Sequence, residues 1–266
     1  MAVVLSRDHR TTLLSDPAEQ MPALLRHCAE LRHELPGADL PGLDLEGLSL
    51  DSLAIPGGSL FRGRLRRTSI TRAKLEGLDA PELDAKNVDF IDCDLTAASL
   101  SRARLSRVRF VRCNMRRARL DESVLSHCSF IETDLGEASL QEVEGRSCLF
   151  ERCVLDDAIL CAAEMPLATF WCSSMQSVFA EAAIFARSTF RRTDANRGYF
   201  RDADFHRAQI IRTTGIWADF KAARFLAAQL RRFDARFADF RCTEGLDPMT
   251  AELCAAGGLA VQPESA

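Results

Sequence analysis

The chain of 266 residues places a hydrophobic residue at every fifth position. From Leu40 to Phe240 this position is large and apolar at almost every step, without a slip in phase. A second apolar position, mostly Ala or Cys, lies two residues earlier, as with Ala98 before Leu100. A period of five fits neither an amphipathic helix nor a plain strand. It predicts a chain that turns a corner every five residues and directs two of the five inward.

The exceptions to this pattern support the same interpretation. Ala80 and Ala85 interrupt the series of large residues, but Leu78 and Leu83 stand where the small residue is normally found. Large and small residues therefore exchange places while the inward volume is roughly kept, as a close-packed interior requires.

Units such as Ala38-Asp39-Leu40 and Ala203-Asp204-Phe205 give the pattern a recognisable form. They resemble the A(D/N)(L/F)xx motif of the pentapeptide-repeat family, and the resemblance covers about residues 38–242. It implies an all-β solenoid, a right-handed quadrilateral β-helix of about ten coils with four pentapeptides per 20-residue coil. Adjacent coils would pair like parallel strands, about 4.8 Å apart.

Outward charges test the coil length, because residues 20 apart would be stacked neighbours and opposite charges there attract. Three columns at this spacing alternate in sign: Asp44, Arg64, Asp84, Arg104; Arg62, Glu82, Arg102, Glu122; and Arg72, Asp92, Arg112, Glu132, Arg152. The arginine-rich stretch 102–119 is therefore interpreted as a basic ring between acidic rings.

Residues 1–37 are predicted to form an N-terminal segment with a helix that caps the solenoid or binds a partner. Asp16 is the predicted N-cap, Pro17 the first helical residue, and Pro36-Gly37 the end. The predicted apolar stripe of the helix consists of Met21, Leu24, Leu25, Cys28, Leu31 and Leu35. The first coil carries Leu43, Leu48 and Leu53 at small positions, and this bulk suits a coil that meets a helical lid.

Residues 243–266 are predicted to form a short helix, about 248–256, and a tail. In some members of the family the C-terminal end makes a two-fold dimer. Leu246, Met249 and Leu253 are the candidates either for such a contact or for closing the core.

Catalytic and metal-binding chemistry is not indicated. Five cysteines occupy the small inward position and are expected to be packed, reduced thiols. There is no CxxC pair and no HExxH, and the histidines form no ligand pattern. We expect no enzyme activity, no metal and no cofactor.

The formal net charge of −4 and the pI of about 5.8 demand neither a nucleic-acid nor a membrane partner. No stretch approaches the roughly 20 apolar residues of a membrane helix. The sequence therefore predicts a cytoplasmic protein without a membrane partner.

The coil of residues 158–177 is weakly charged, since Glu164 is its single charged residue. Contiguous exposed apolar residues usually mark an interface. The candidate protein interface consists of Ile159, Leu167, Trp171, Phe179, Ile184 and Tyr199. Ladder stacking without a partner is the alternative explanation for these residues.

The leading functional hypothesis is a non-enzymatic interaction scaffold or adaptor for a protein partner, or for a second copy bound through the apolar face or the C-terminal end. The resemblance offers two alternatives: a DNA mimic that protects a type II topoisomerase, as the quinolone-resistance members do, and an accessory protein of a bacterial secretion system. A DNA mimic needs an acidic rod, whereas here only residues 121–181 are strongly acidic. Nucleic-acid binding by the arginines of residues 187–241 is not favoured, because acidic residues are interspersed among them in sequence.

Overall fold

The computed structural model describes residues 2–6, 12–16 and 21–246, and its main body is a four-sided β-helix. Residues 20 positions apart pair in parallel, as Ile70 does with Phe90 and Phe90 with Phe110. One side forms a ten-stranded sheet and another a four-stranded sheet, while isolated parallel bridges join the coils on the other two sides. The predicted solenoid and its 20-residue coil are confirmed.

The elements in chain order are β1 (Ala2–Ser6), β2 (Thr12–Asp16), α1 (Met21–Glu30), β3 (Ala38–Asp39), β4 (Ser49–Asp51), β5 (Arg64–Arg66), β6 (Ser69–Thr71), β7 (Asp84–Lys86), β8 (Asp89–Ile91), β9 (Arg104–Ser106), β10 (Arg109–Val111), β11 (Val124–Ser126), β12 (Ser129–Ile131), β13 (Leu149–Glu151), β14 (Thr169–Trp171), β15 (Thr189–Arg191), β16 (Gln209–Ile211) and β17 (Gln229–Arg231). We call the four sides A, B, C and D. Their first large inward positions are 40, 45, 50 and 55, respectively, and each side continues at every 20th position after its first. Side C is the ten-stranded sheet, and side A faces away from it across the coil.

The interior of side C is a stack of phenylalanine rings. Neighbouring rings are parallel to within 10°, with centroids 4.8–5.1 Å apart. The members are Phe90, Phe110, Phe130, Phe150, Phe170 and Phe190. The exchange of large and small residues is visible further on, where a Cβ atom at Gly215 would lie 3.1 Å from the ring of Phe233. Each coil therefore fills the same interior space with different residues.

Small inward residues at two of the corners also bond the backbone. Cys113 donates its thiol hydrogen to the carbonyl of Phe90 (3.3 Å), and Thr133 donates its hydroxyl hydrogen to the carbonyl of Phe110 (3.1 Å). Burial raises the pKa of Cys128 to about 11 and that of Cys153 to about 12. These inward cysteines are free thiols. They act as small apolar residues that also donate a weak hydrogen bond.

The predicted ion-pair columns form only in part: in the first of them, Asp84 bonds Arg66 (2.9 Å) instead of Arg64 or Arg104. Arg62 bonds Glu82 (2.7 Å), Arg102 bonds Glu122 (2.9 Å), Arg112 bonds Asp92 (2.7 Å) and Arg152 bonds Glu132 (3.3 Å). Arg72, however, bonds Asp51 of the preceding coil instead of Asp92. Asp92 is already held by Arg112, so the third column alternates in sign without pairing at every step.

The helix α1 covers the N-terminal end of the β-helix, as predicted. Met21, Leu25, Cys28 and Ala29 are buried in the same hydrophobic core as the first coils. Two of the bulky leucines of the first coil, Leu43 and Leu48, pack against this core, and the third, Leu53, is buried within it. The helix therefore shields apolar surface that an open coil end would expose.

The predicted C-terminal limit of this helix was wrong, because the helix ends at Glu30 and not at Pro36-Gly37. Its predicted start at Asp16-Pro17 remains untested, because residues 17–20 lie outside the described part of the chain. The helix ends in a Schellman motif in which Arg32 adopts a left-handed conformation (φ 54°) and His33 donates to the carbonyl of Cys28 (2.9 Å). Consequently Leu31 is exposed instead of belonging to the apolar stripe.

Leu35 also belongs to the β-helix and not to α1. It lies in phase with the five-residue series, is buried, and donates its backbone N–H to the carbonyl of Ala54 (2.8 Å). The sequence pattern allowed both interpretations, because Leu35 is four residues after Leu31 and five before Leu40.

An N-terminal hairpin was not predicted. Strands β1 and β2 pair antiparallel, and β1 also pairs antiparallel with β3 on the first coil. At the other end, Leu246 is half-buried against the core, in keeping with a closing role. Met249, Leu253 and the predicted helix at 248–256 lie outside the described residues.

Candidate protein interface

The six residues of the predicted interface do not form one patch. Ile159, Phe179 and Tyr199 lie on side A, whereas Trp171 lies on side C, which faces the opposite way. Ile184 is a half-buried residue of side B, and Leu167 occupies the corner between sides B and C. Trp171 is therefore separated by the body of the β-helix from the residues with which it was grouped.

The three residues on side A stack directly upon one another. Ile159 pairs with Phe179, and Phe179 with Tyr199, in successive coils. The two rings are parallel, with 5.0 Å between centroids and 4° between planes. The exposed fractions are 37% for Ile159, 42% for Phe179 and 45% for Tyr199. The stack thus presents an apolar edge to solvent.

Two further aromatic residues, missed in the sequence, extend this edge. Trp217 and Phe237 stack with centroids 4.5 Å apart and are 62% and 49% exposed. They occupy the corner between sides D and A. Trp217 lies two residues before Asp219, and Asp219 pairs with Tyr199 of the preceding coil. We call Ile159, Phe179, Tyr199, Trp217 and Phe237 together the aromatic ridge. The spacing of 20 between Trp217 and Phe237 was the available sequence signal.

A shallow groove of about 190 Å³ lies beside the ridge and is lined by Cys161, Phe179, Glu181, Tyr199 and Arg201. Arg201 donates a hydrogen bond to Asp219, and this carboxylate raises the pKa of Arg201 further above its ordinary value. The ridge is therefore an apolar strip with an ion pair beside it, the arrangement of an apolar centre and polar rim found at protein interfaces.

Contacts within the β-helix account for the tryptophan at position 171. It is half-buried and lies in register between Glu151 and Arg191 of the neighbouring coils. The guanidinium of Arg152 lies 5.9 Å from the centroid of its ring, within cation–π distance. A tryptophan covered in this way offers little free surface to a partner.

Within residues 2–6, 12–16 and 21–246, no group of three or more His, Cys, Asp or Glu side chains is arranged to hold a metal ion. In the same part of the chain, no helix is long and apolar enough to cross a membrane.

Comparison with known proteins agrees with this geometry. A family model described as "Pentapeptide repeat region" matches residues 64–140. Residues 64–140 are therefore a pentapeptide-repeat region. A search of curated proteins found no significant match.

Among solved structures, the chain is similar to HetL from the cyanobacterium Nostoc sp., a pentapeptide-repeat protein involved in regulating heterocyst differentiation. The identity is 22%, the TM-score is 0.46, and the match covers 84% of this chain and 92% of HetL. It is also similar to QnrB1, a plasmid-mediated fluoroquinolone-resistance protein, with 18% identity and a TM-score of 0.49 over 81% of this chain and 95% of QnrB1.

Proposed function

We propose that this protein is a non-enzymatic interaction scaffold that binds a protein partner through the aromatic ridge of side A. The observation that carries the proposal is the exposure of four aromatic side chains, in two stacked pairs, on one side of the coil and its leading corner. Aromatic side chains supply large contact areas with little loss of conformational freedom and dominate binding energies at interfaces.

The geometry of the ridge defines the partner surface that would fit it. Because the rings stack face to face along the solenoid, it is their edges that point outward. A row of ring edges is convex, so the complementary surface is an apolar groove. The backbone ladder fixes each ring before binding, and this preorganisation reduces the entropy lost on association.

The two alternatives offered by the family resemblance receive less support. The acidic segment 121–181 contains Glu122, Glu132 and Glu137, and each of these is bonded to an arginine. This pairing neutralises part of the charge that a DNA mimic would need to display. The geometry of the described residues favours neither this role nor one in a secretion system.

The test is a pull-down from native cell extract with the wild type, a Phe179→Ser/Tyr199→Ser double variant and a Trp171→Ser control. We expect one or more proteins to be retained by the wild type and the control and lost with the double variant. Sedimentation velocity of the same three proteins separates binding of another protein from self-association through the ridge. Equal retention by all three proteins would contradict the proposal.

A further inference from the structure

The C-terminal part of side C carries a dense set of arginines on one flat surface. Strands β15, β16 and β17 pair in parallel and in register, so their flanking residues lie side by side. We call the arginines of this surface the basic face: Arg187, Arg191, Arg192, Arg207, Arg212, Arg231 and Arg232. In sequence these residues have acidic neighbours, but the coil places those neighbours on other sides.

The three outward segments of the basic face, residues 187–192, 207–212 and 227–232, contain no Asp or Glu. Acidic groups on the adjoining sides have other partners. On side D, Asp234 bonds Arg236 and Asp194 accepts hydrogen bonds from Gln176 and Thr214; on side B, Asp204 accepts a hydrogen bond from the backbone N–H of His206. Apart from Arg232, none of the seven arginines forms an ion pair with another described residue.

Like charges stacked on neighbouring strands oppose folding. Arg192 and Arg212 stand in one column, and two unit charges about 4.8 Å apart in water repel by about 1 kcal/mol. The β-helix does not require this arrangement, because earlier coils of the same column carry alternating charges. An anionic ligand would remove the repulsion, so the surface is complementary to a polyanion.

The accompanying groups identify the class of polyanion. Between the arginines lie Thr189, Gln209 and Gln229, whose hydroxyl and amide groups suit phosphate and sugar oxygens. Arginine binds phosphate through two parallel N–H bonds. A protein surface that inserts into a membrane presents Trp, Phe and Leu. The three segments of the basic face expose a single apolar side chain of comparable size, that of Ile211.

The absence of exposed aromatic rings from these segments also argues against single strands, whose bases stack on aromatic side chains. We propose that the basic face binds the phosphate backbone of duplex DNA without reading its sequence. This site is on the side opposite the aromatic ridge, so the proposal is independent of the proposed protein partner. The net charge of −4 does not oppose DNA binding, because screening limits the range of each exposed charge to about 8 Å at physiological salt.

The test measures fluorescence anisotropy of a labelled 24-base-pair duplex of arbitrary sequence between about 50 and 300 mM salt. If five or six arginines each replace a counterion, a plot of the logarithm of the association constant against the logarithm of the salt concentration should have a slope of about −5. The triple variant Arg191→Gln/Arg207→Gln/Arg212→Gln should bind at least tenfold more weakly, with a slope closer to −2.

The matched control is Arg102→Gln/Arg109→Gln/Arg112→Gln, which removes the same charge from arginines that already have carboxylate partners. It should keep wild-type affinity within about twofold. Circular dichroism and thermal unfolding of both variants establish that they are folded. Wild-type protein without salt-dependent binding would overturn the proposal, as would equal losses in both variants. Tighter binding to single strands or to vesicles containing 30% phosphatidylserine would also overturn it.

Discussion

Side C has the same kind of interior in its N-terminal and C-terminal parts but different outer surfaces. In both parts the inward residues are large, buried and stacked in register. Outside, β8 and β10 are joined by ion pairs such as Asp89–Arg109 and Asp92–Arg112, whereas the charged residues in the segments that contain β15 to β17 are all arginines. The comparison shows that the fold is set from the inside and leaves the outer surface free to serve binding.

The largest expected effect concerns the shared interior. Phe110→Ala and Phe190→Ala should each lower the free energy of unfolding by about 3–5 kcal/mol, because both remove a buried ring from one stack. Urea unfolding of both variants measures the loss. A large loss at Phe110 with almost none at Phe190 would show that the two parts differ inside as well as outside.

A second prediction restores the alternation of charge. Arg212→Glu places a carboxylate between Arg192 and Arg232 and should raise the free energy of unfolding by about 0.2–1 kcal/mol. The matched change, Arg112→Glu, places a carboxylate between Asp92 and Glu132 and should lower it by a similar amount. Both substitutions change the net charge equally, so chemical unfolding isolates the effect of the neighbours. Shifts of the same sign would contradict the comparison.

Acid should weaken the N-terminal part selectively. The hydrogen bond from Arg112 holds the pKa of Asp92 below its ordinary value, and the pKa of Glu122 is lowered in the same way by Arg102. A carboxylate with a depressed pKa in the folded state stabilises fully above the unfolded value of about 4, and this stabilisation is lost as the pH falls through the folded pKa.

Hydrogen exchange at pH 6 and pH 3, corrected for the intrinsic rate, follows this loss. Protection of β8 and β10 should fall more than that of β15 to β17, and Asp92→Asn should reduce the difference. An equal fall in all these strands would show that the ion pairs do not distinguish the two parts.

Salt should have the smallest effect and opposite signs in the two parts. Raising sodium chloride from about 0.05 to 0.5 M screens attraction between paired charges and repulsion between the arginines. We expect protection from exchange to fall slightly in β8 and β10 and to rise slightly in β15 to β17, each by a few tenths of a kcal/mol. Changes of one sign throughout would contradict this expectation.

Much of the fold follows from local and periodic information. The inward series through Phe90 and Phe110 and the charge columns through Arg102 and Arg112 predicted the coil before any contact was known. The N-terminal hairpin was not predictable in this way. Its pairing with β3 depends on a contact between distant segments, and short strands carry little periodic signal.

The sequence by itself determined the period of five, the coil of 20 residues and which side chains point inward, because close packing imposes a strict pattern on the interior. Only the tertiary structure decided which outward residues share a surface. Trp171 and Phe179 are close in sequence but lie on opposite sides, whereas Arg187 and Arg207 are distant in sequence and adjacent on one side. Outward positions are free of the packing constraint, so their meaning depends on the neighbours that the coil brings to them.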